Sequence, residues 1–317
     1  MRLLITENMR DISIIIINYN SSSYTIQCIQ SIIEKTSPSI NYDIIVIDNA
    51  SHYDDYSKLL KEITALDNQK ITIQRSKLNT GFGGGNMFGV QFANAKYYAF
   101  VNNDTILKND CISISYNFLE NTKDASICCP QQYDANDHVQ MSFDHFLSLK
   151  RELFGRKILE KTNPKRYPKR KKVYTSPLKV ECVPGSFLVT KASAFDQVGG
   201  FDTNIFLYYE ETDLCYRIKK AFSDGNSYLV PEGQYLHFEG QSTKKSNAIK
   251  KELKLSLLYV LRKHTGYIPF QVMRFVLTGK FFFKSIIKPK NFDLFLFFLK
   301  GAPLSASLKM KQMIHKK

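Results

Sequence analysis

The chain has 317 residues, 44% of them hydrophobic and 23% charged, an ordinary globular balance. That excludes a disordered chain, a collagen-like chain and a disulfide-stapled miniprotein. The net charge of +15 is uneven: residues 244–317 hold 17 Lys/Arg against 2 Asp/Glu, residues 150–172 hold 11 against 2, and the rest sums to −9.

Residues 12–17, ISIIII, form a β-branched run with no polar face, as expected of a strand buried on both sides of a parallel sheet. Turn residues Asn18–Ser23 follow, then a helical pattern to about Lys35. Residues 44–48 repeat the buried-strand signal, and a helix is expected over Tyr53–Leu66. Residues 71–74 and 97–101 read as two more strands, with a short helix near Asn86–Ala95 between them. This alternation predicts an open α/β sheet, whose ligands bind beyond the carboxyl ends of the strands. Residues 130–180 show several prolines and no clear period, and read as a long insertion with freedom to move. Order returns at Pro184–Thr190 and in a helix from about Tyr209 to Ala221. Lys244–Lys263 is a basic helical stretch, and Phe270–Phe298 interleaves phenylalanines with lysines.

Met1–Arg10 lacks the apolar core of a signal peptide, and the longest apolar run, Phe292–Leu299, contains Asp293 and is far below the ~18 residues of a membrane span. The body is therefore expected in the cytosol. Cys28, Cys111, Cys128, Cys129, Cys182 and Cys215 form no CxxC pair, and most sit among apolar residues, so they read as reduced core thiols.

Four consecutive strand ends carry polar or glycine chemistry: Asn18, Tyr19 and Asn20; Asp48, Asn49 and Ser51; Asn79 to Asn86 (NTGFGGGN); and Asn102, Asn103 and Asp104. Each alone is turn chemistry, but four in register point to one crevice. The glycine run is neither a dinucleotide fingerprint nor a Walker A sequence, which disfavours nicotinamide enzymes and P-loop ATPases. Asp104 suits a hydrated divalent ion or a helix N-cap. Glu210, Glu211 and Asp213 crowd three carboxylates into a helix start, either ordinary N-terminal acids or a general base with positioning partners. His237 lies beyond an apolar stretch and would complete a nitrogen–oxygen metal shell, or serve as a plain surface or core histidine.

In this order, ISIIIINYNS, IIVIDNAS, LNTGFGGGN, VNND, PGSFLVT, GGFDTNIFLYYEETDLCYR and LHFEGQS resemble the family 2 glycosyltransferases over about residues 11–243. The likeness is to the rhamnosyltransferase-like and galactofuranosyltransferase-like bacterial branch. It implies a GT-A fold, a Rossmann-like and mostly parallel α/β sheet flanked by helices, and an inverting mechanism. It implies that residues 1–107 bind the nucleotide sugar and that 108–243, with the basic loop 150–172, form the acceptor and catalytic half. Residues 244–317 would be a basic helical extension.

Residue by residue, the resemblance implies that Asn18, Tyr19, Asn20 and Asp48 hold the nucleobase and ribose. Asn79, Gly81, Phe82 and Asn86 match the loop beside the sugar nucleotide, Asn103 and Asp104 match the acidic metal motif, and Asn102 and Asn103 are expected among the nucleotide-sugar-binding residues. Glu211 matches the base, Glu210 and Asp213 its flanking acids, and His237 a metal-binding histidine. The metal motif is Asn-Asn-Asp, so Asp104 is its sole carboxylate, and the paired acids are Glu-Glu where Glu-Asp is commoner. A divalent cation, Mg²⁺ or Mn²⁺, is the implied cofactor. The implied partners are a dTDP- or UDP-linked sugar and a glycan or lipid-linked glycan acceptor. The acidic body argues against nucleic acid, and the alternative is a catalytically weak nucleotide- or nucleic-acid-binding protein. The basic tail reads as a solvated face, as packing on the body, or as attachment to an anionic membrane at the inner face of the cell membrane, the last favoured by its phenylalanines.

Overall fold

A computed structural model describes residues 9–238 and 246–314. The first half alternates as expected: β1 (Arg10–Asn18), α1 (Ser22–Lys35), β2 (Tyr42–Asp48), α2 (Tyr53–Ala65), β3 (Ile71–Arg75), α3 (Gly81–Val90) and β4 (Ala95–Asn102). β3, β2, β1 and β4 lie side by side and parallel, with Ile17 opposite Ile47 on β2 and Asn102 on β4. Alternation along β1 explains its unbroken isoleucine run. Ile12, Ile14 and Ile16 pack with α1 and α2, while Ile15 packs on the opposite face.

The second half comprises β5 (Thr105–Leu107), α4 (Cys111–Asn121), β6 (Ala125–Tyr133), α5 (Leu149–Phe154), α6 (Arg156–Thr162), β7 (Leu178–Val180), β8 (Phe187–Lys191), α7 (Ala192–Gln197), α8 (Glu210–Ala221) and β9 (Asn226–His237). β8 joins antiparallel to both β4 and β6, and the order continues to β9 and β5, with β7 also on β9. The sheet is thus mixed beyond β4. All six cysteines are buried, and burial pushes the Cys28, Cys128 and Cys215 thiols up to about 12, which leaves them unreactive.

Two expectations are corrected. The glycine run is not a loop before a helix at Asn86–Ala95: it is itself the start of α3. Glycine is needed there because α3 lies directly on the sheet; a Cβ at Gly89 would stand 2.6 Å from Ile15 Cγ2. Second, the basic segment 150–172 is not a loose insertion. Arg151 is fully buried, 2.9 Å from Glu152 and 3.3 Å from Asp144, and Arg156 and Arg170 also converge on Asp144. Alternating signs in a polar cluster replace the apolar period that sequence reading relies on.

The extension forms α9 (Asn247–Thr265), α10 (Tyr267–Ile287) and α11 (Phe292–Leu299). Its inner residues, among them Leu257, Leu261, Phe270, Leu277 and Phe298, share a core cluster with Leu147 and Ile205 of the body. The expected division at residues 243 and 244 falls outside the described residues. No helix of the described residues is long and apolar enough to cross a membrane.

Candidate active site

The carboxyl ends of β1, β2 and β4 open on a cleft of about 970 Å³. Tyr19, Asn49, Asn79, Gly81, Phe82 and Asn86 line one wall of it. Asn49 organises it: its Nδ2 donates to Asn79 Oδ1 and to the Gly81 carbonyl, and its Oδ1 accepts from the Thr80 amide. Gly81 has φ +75°, and a Cβ there would overlap the Phe206 carbonyl oxygen at 2.0 Å. Only glycine allows this approach, which ties α3 to the segment leading into α8.

Asn102, Asn103, Asp104 and His237 form the floor. Asp104 and His237 are far apart in sequence but meet because Thr105 on β5 pairs with His237 on β9. His237 Nε2 stands 3.1 Å from Asp104 Oδ1 and 3.3 Å from Asn102 Nδ2. A spacing near 3 Å matches adjacent ligands around a cation with bonds of roughly 2.1 Å. Two donors cannot fill six positions, so such an ion would need ligand oxygens and water as well. No cluster of three or more His, Cys, Asp or Glu suited to a metal occurs among the described residues. The pair therefore fits an ion that arrives with a phosphate ligand better than a resident one.

The third wall is the start of α8. Tyr208 and Tyr209 both adopt left-handed backbone, φ +74° and +73°, a strained turn that swings Glu210 and Glu211 into the cleft. Glu210 is buried and its Oε1 has no hydrogen-bond partner. Burial, then the adjacent Glu211 charge, raises its pKa well above the usual range. Glu211 is half-buried, accepts from Thr212 Oγ1 at 3.1 Å, and is also raised by burial. A half-exposed carboxylate with a raised pKa has the properties of a general base.

Four of the expected site residues do not line the cleft. Asn18 and Asp48 are fully buried beneath the floor: Asn18 Nδ2 donates to Asp48, Ser51 and Asp55, and Asp48 pairs with Arg75 at 3.2 Å. They hold the loops and are not among the cleft-lining residues. Asn20 is exposed at φ +52°, its Oδ1 accepting from the His52 amide, and it does not line the cleft. Asp213 is fully buried on the far side of α8, bound by Arg217, Lys263 and His264. Asn103 stays at the cleft, but its amide also donates to Ser21 Oγ and Thr25 Oγ1, bracing α1.

Sequence reading missed several lining residues. Asp144 and Arg156 come from the segment that lacked a period, and Ala248, Ile249, Leu253 and Leu308 come from the extension. The Arg156 side chain holds Asp144 at 2.9 Å, and despite burial the surrounding arginines keep that carboxyl below its usual value. The basic count of 150–172 was the one available signal; the apolar tail residues gave none.

Comparisons with known proteins identify the family and the fold. The glycosyl transferase family 2 model matches residues 13–199. Rhamnosyltransferase WbbL of Escherichia coli K12 is 27% identical over 264 residues, 79% of this chain and 92% of that one. N-acetylglucosaminyl-diphospho-decaprenol L-rhamnosyltransferase of Mycobacterium tuberculosis is 36% identical, but over only 26% of this chain and 27% of its own. The structure of GalNAc-T7 with UDP, GalNAc and Mn²⁺ superposes with a TM-score of 0.58 at 15% identity, over 79% of this chain and about half (48%) of that one, which identifies the fold as GT-A. The chain belongs to glycosyl transferase family 2 and is a glycosyltransferase of rhamnosyltransferase-like type.

Proposed function

We propose that this glycosyltransferase is an inverting, cation-assisted enzyme. It moves a deoxyhexose or hexose, with a rhamnose-like sugar favoured, from a dTDP- or UDP-sugar to a hydroxyl of a growing, lipid-linked surface glycan. It would work in the cytoplasm on the inner face of the membrane. The observation that carries this reading is that Glu211 and the Asp104–His237 pair open on one cleft with the strand-end asparagines. The names of the relatives support the sugar and the lipid-linked acceptor.

Tyr19, Asn79 and Asn86 would seat the donor against the glycine-tight start of α3. Glu211 would take the proton from the acceptor hydroxyl as its oxygen attacks the anomeric carbon from the face opposite the leaving diphosphate. That direction of attack inverts the anomeric centre. Asp104 and His237 would hold Mg²⁺ or Mn²⁺. A cation there neutralises charge that develops on the departing diphosphate. Glu210, buried beside Glu211, would help keep water from that side of the reacting centre.

The test is thermal stabilisation by a panel of nucleotides and nucleotide sugars with and without each cation, followed by NMR of the product's anomeric proton. The reading expects one nucleotide to raise the melting temperature in a cation-dependent way, and a product inverted relative to its donor. Retention at the anomeric carbon, or no shift with any nucleotide, would overturn it.

A further inference from the structure

α10 carries two apolar stripes, and only one of them is covered. Phe270, Met273, Leu277 and Phe281 point into the cluster shared with α9 and α11. The opposite stripe runs through Ile268, Val272, Phe275, Phe282, Phe283 and Ile286, and all six are exposed, Phe275 by 65%, Phe283 by 66% and Ile286 by 67%. At about 100° of turn per residue all six fall within an arc of roughly 100°, one face of the helix, over roughly 27 Å. Gly279 lies within the same stretch with open space where a side chain would be. A helix apolar on both sides normally has both covered, so the outer stripe lacks its partner.

The charge around the stripe specifies that partner. Between residues 266 and 300 there are six Lys/Arg and a single acid, Asp293. Lys288 and Lys290 are exposed at the C-terminal end of the stripe, while Lys284 lies over the Phe281 ring of the inner stripe. Large apolar side chains flanked by lysines suit an anionic phospholipid surface, where the rings enter the headgroup boundary and the ammonium groups meet phosphate. An apolar protein groove would not need that excess of positive charge.

We infer that the outer face of α10 docks on an anionic bilayer surface, lying in the interface without crossing it. This deepens the proposed action on a lipid-linked acceptor and rests on that reading only for its purpose. α9, packed against α10, also supplies Ala248, Ile249 and Leu253 to the cleft wall. Docking would therefore set the acceptor side of the cleft at a fixed position relative to the membrane.

The experiment is co-sedimentation of the full chain with vesicles of phosphatidylcholine alone and with added phosphatidylglycerol, without donor or acceptor, so its result is independent of the sugar chemistry. The wild type should bind the anionic vesicles and scarcely bind the neutral ones. The double variant Phe275→Glu/Phe283→Glu should lose at least about ten-fold in partitioning, and Lys288→Glu/Lys290→Glu should lose a similar factor only on anionic vesicles. Both should keep the wild-type melting temperature and wild-type transfer to a short water-soluble acceptor, because neither pair contributes to the cleft. Equal binding by the wild type and both variants would overturn the inference. So would sedimentation velocity showing a dimer that the Phe275/Phe283 pair dissociates, which would assign the face to a second copy of the chain.

Discussion

His264 Nε2 stands 2.7 Å from Asp213 Oδ1, so the last turn of α9 is bolted to the helix that carries Glu210 and Glu211 on its first turn. Lys263 Nζ reaches the same oxygen at 2.7 Å and Asp202 at 2.7 Å, and Arg217 holds the other oxygen. From the same helix Ser256 Oγ donates to the Leu207 carbonyl, one residue before the left-handed Tyr208–Tyr209 turn. The extension thus braces the strained segment that presents the candidate base.

The brace has a pH signature. Burial pushes the Asp213 carboxyl up, but His264, Arg217 and Lys263 outweigh it and hold the group at about 2, below its ordinary 3.8. A depressed carboxylate stabilises the fold at pH above its unfolded value, and that contribution fades as pH falls from about 4 towards 2. It amounts to about 2 kcal/mol. Asp213→Asn should cost about 3–5 kcal/mol at neutral pH, because Arg217 and Lys263 lose their carboxylate. Urea denaturation at pH 7 and at pH 3 should show the gap between variant and wild type narrowing in acid. A constant gap would mean that Asp213 acts by packing alone.

Glu211→Gln keeps the shape of the side chain and removes the base. It should lower kcat by about 10²–10⁴ while leaving nucleotide binding and melting temperature close to wild type. Near-wild-type turnover would move the base role to another group.

What could be read from the sequence follows from the physics of each part. The isoleucine strands and the four polar strand ends were legible because period and turn chemistry are local. Glu210 and Glu211 were legible as acids crowded at a helix start. Asp213 turns away from the cleft because its direction around α8 depends on α9, and no local pattern reveals a lysine some 50 residues downstream. Asn18 and Asp48 occupy the right strand ends but one layer too deep, since a strand's last side chains alternate between cleft and core. The polar lattice around Arg151 has neither helical nor strand period, so that segment read as a long insertion with freedom to move.

Asp104→Asn and His237→Gln test the cation. If the two side chains share one ion with the donor diphosphate, each variant should abolish the Mn²⁺- or Mg²⁺-dependent part of nucleotide-induced thermal stabilisation. Asp104→Asn should cost about 10²–10³ in transfer rate. Chelation should reproduce the defect in the wild type and change neither variant. Cation-dependent stabilisation that survives in both variants would place the ion elsewhere.

Glu210 offers a test with the opposite sign to Asp213. Its pKa is raised, by burial first and then by the charge of Glu211. A carboxyl raised in the folded state favours folding at pH below its unfolded value of roughly 4.3 and weakens it as pH climbs, because the buried group must either keep its proton or carry an unsolvated charge. Glu210→Gln removes that penalty and gives the orphaned Oε1 position a neutral group of the same shape. The variant should match the wild type near pH 4 and become progressively more stable than it from pH 5 to pH 8, levelling off only above the folded pKa. Thermal melts across that range supply the measurement. A difference that does not grow with pH would show that Glu210 is paired in solution, and the carboxylate would then be free to serve Glu211 as a charged neighbour.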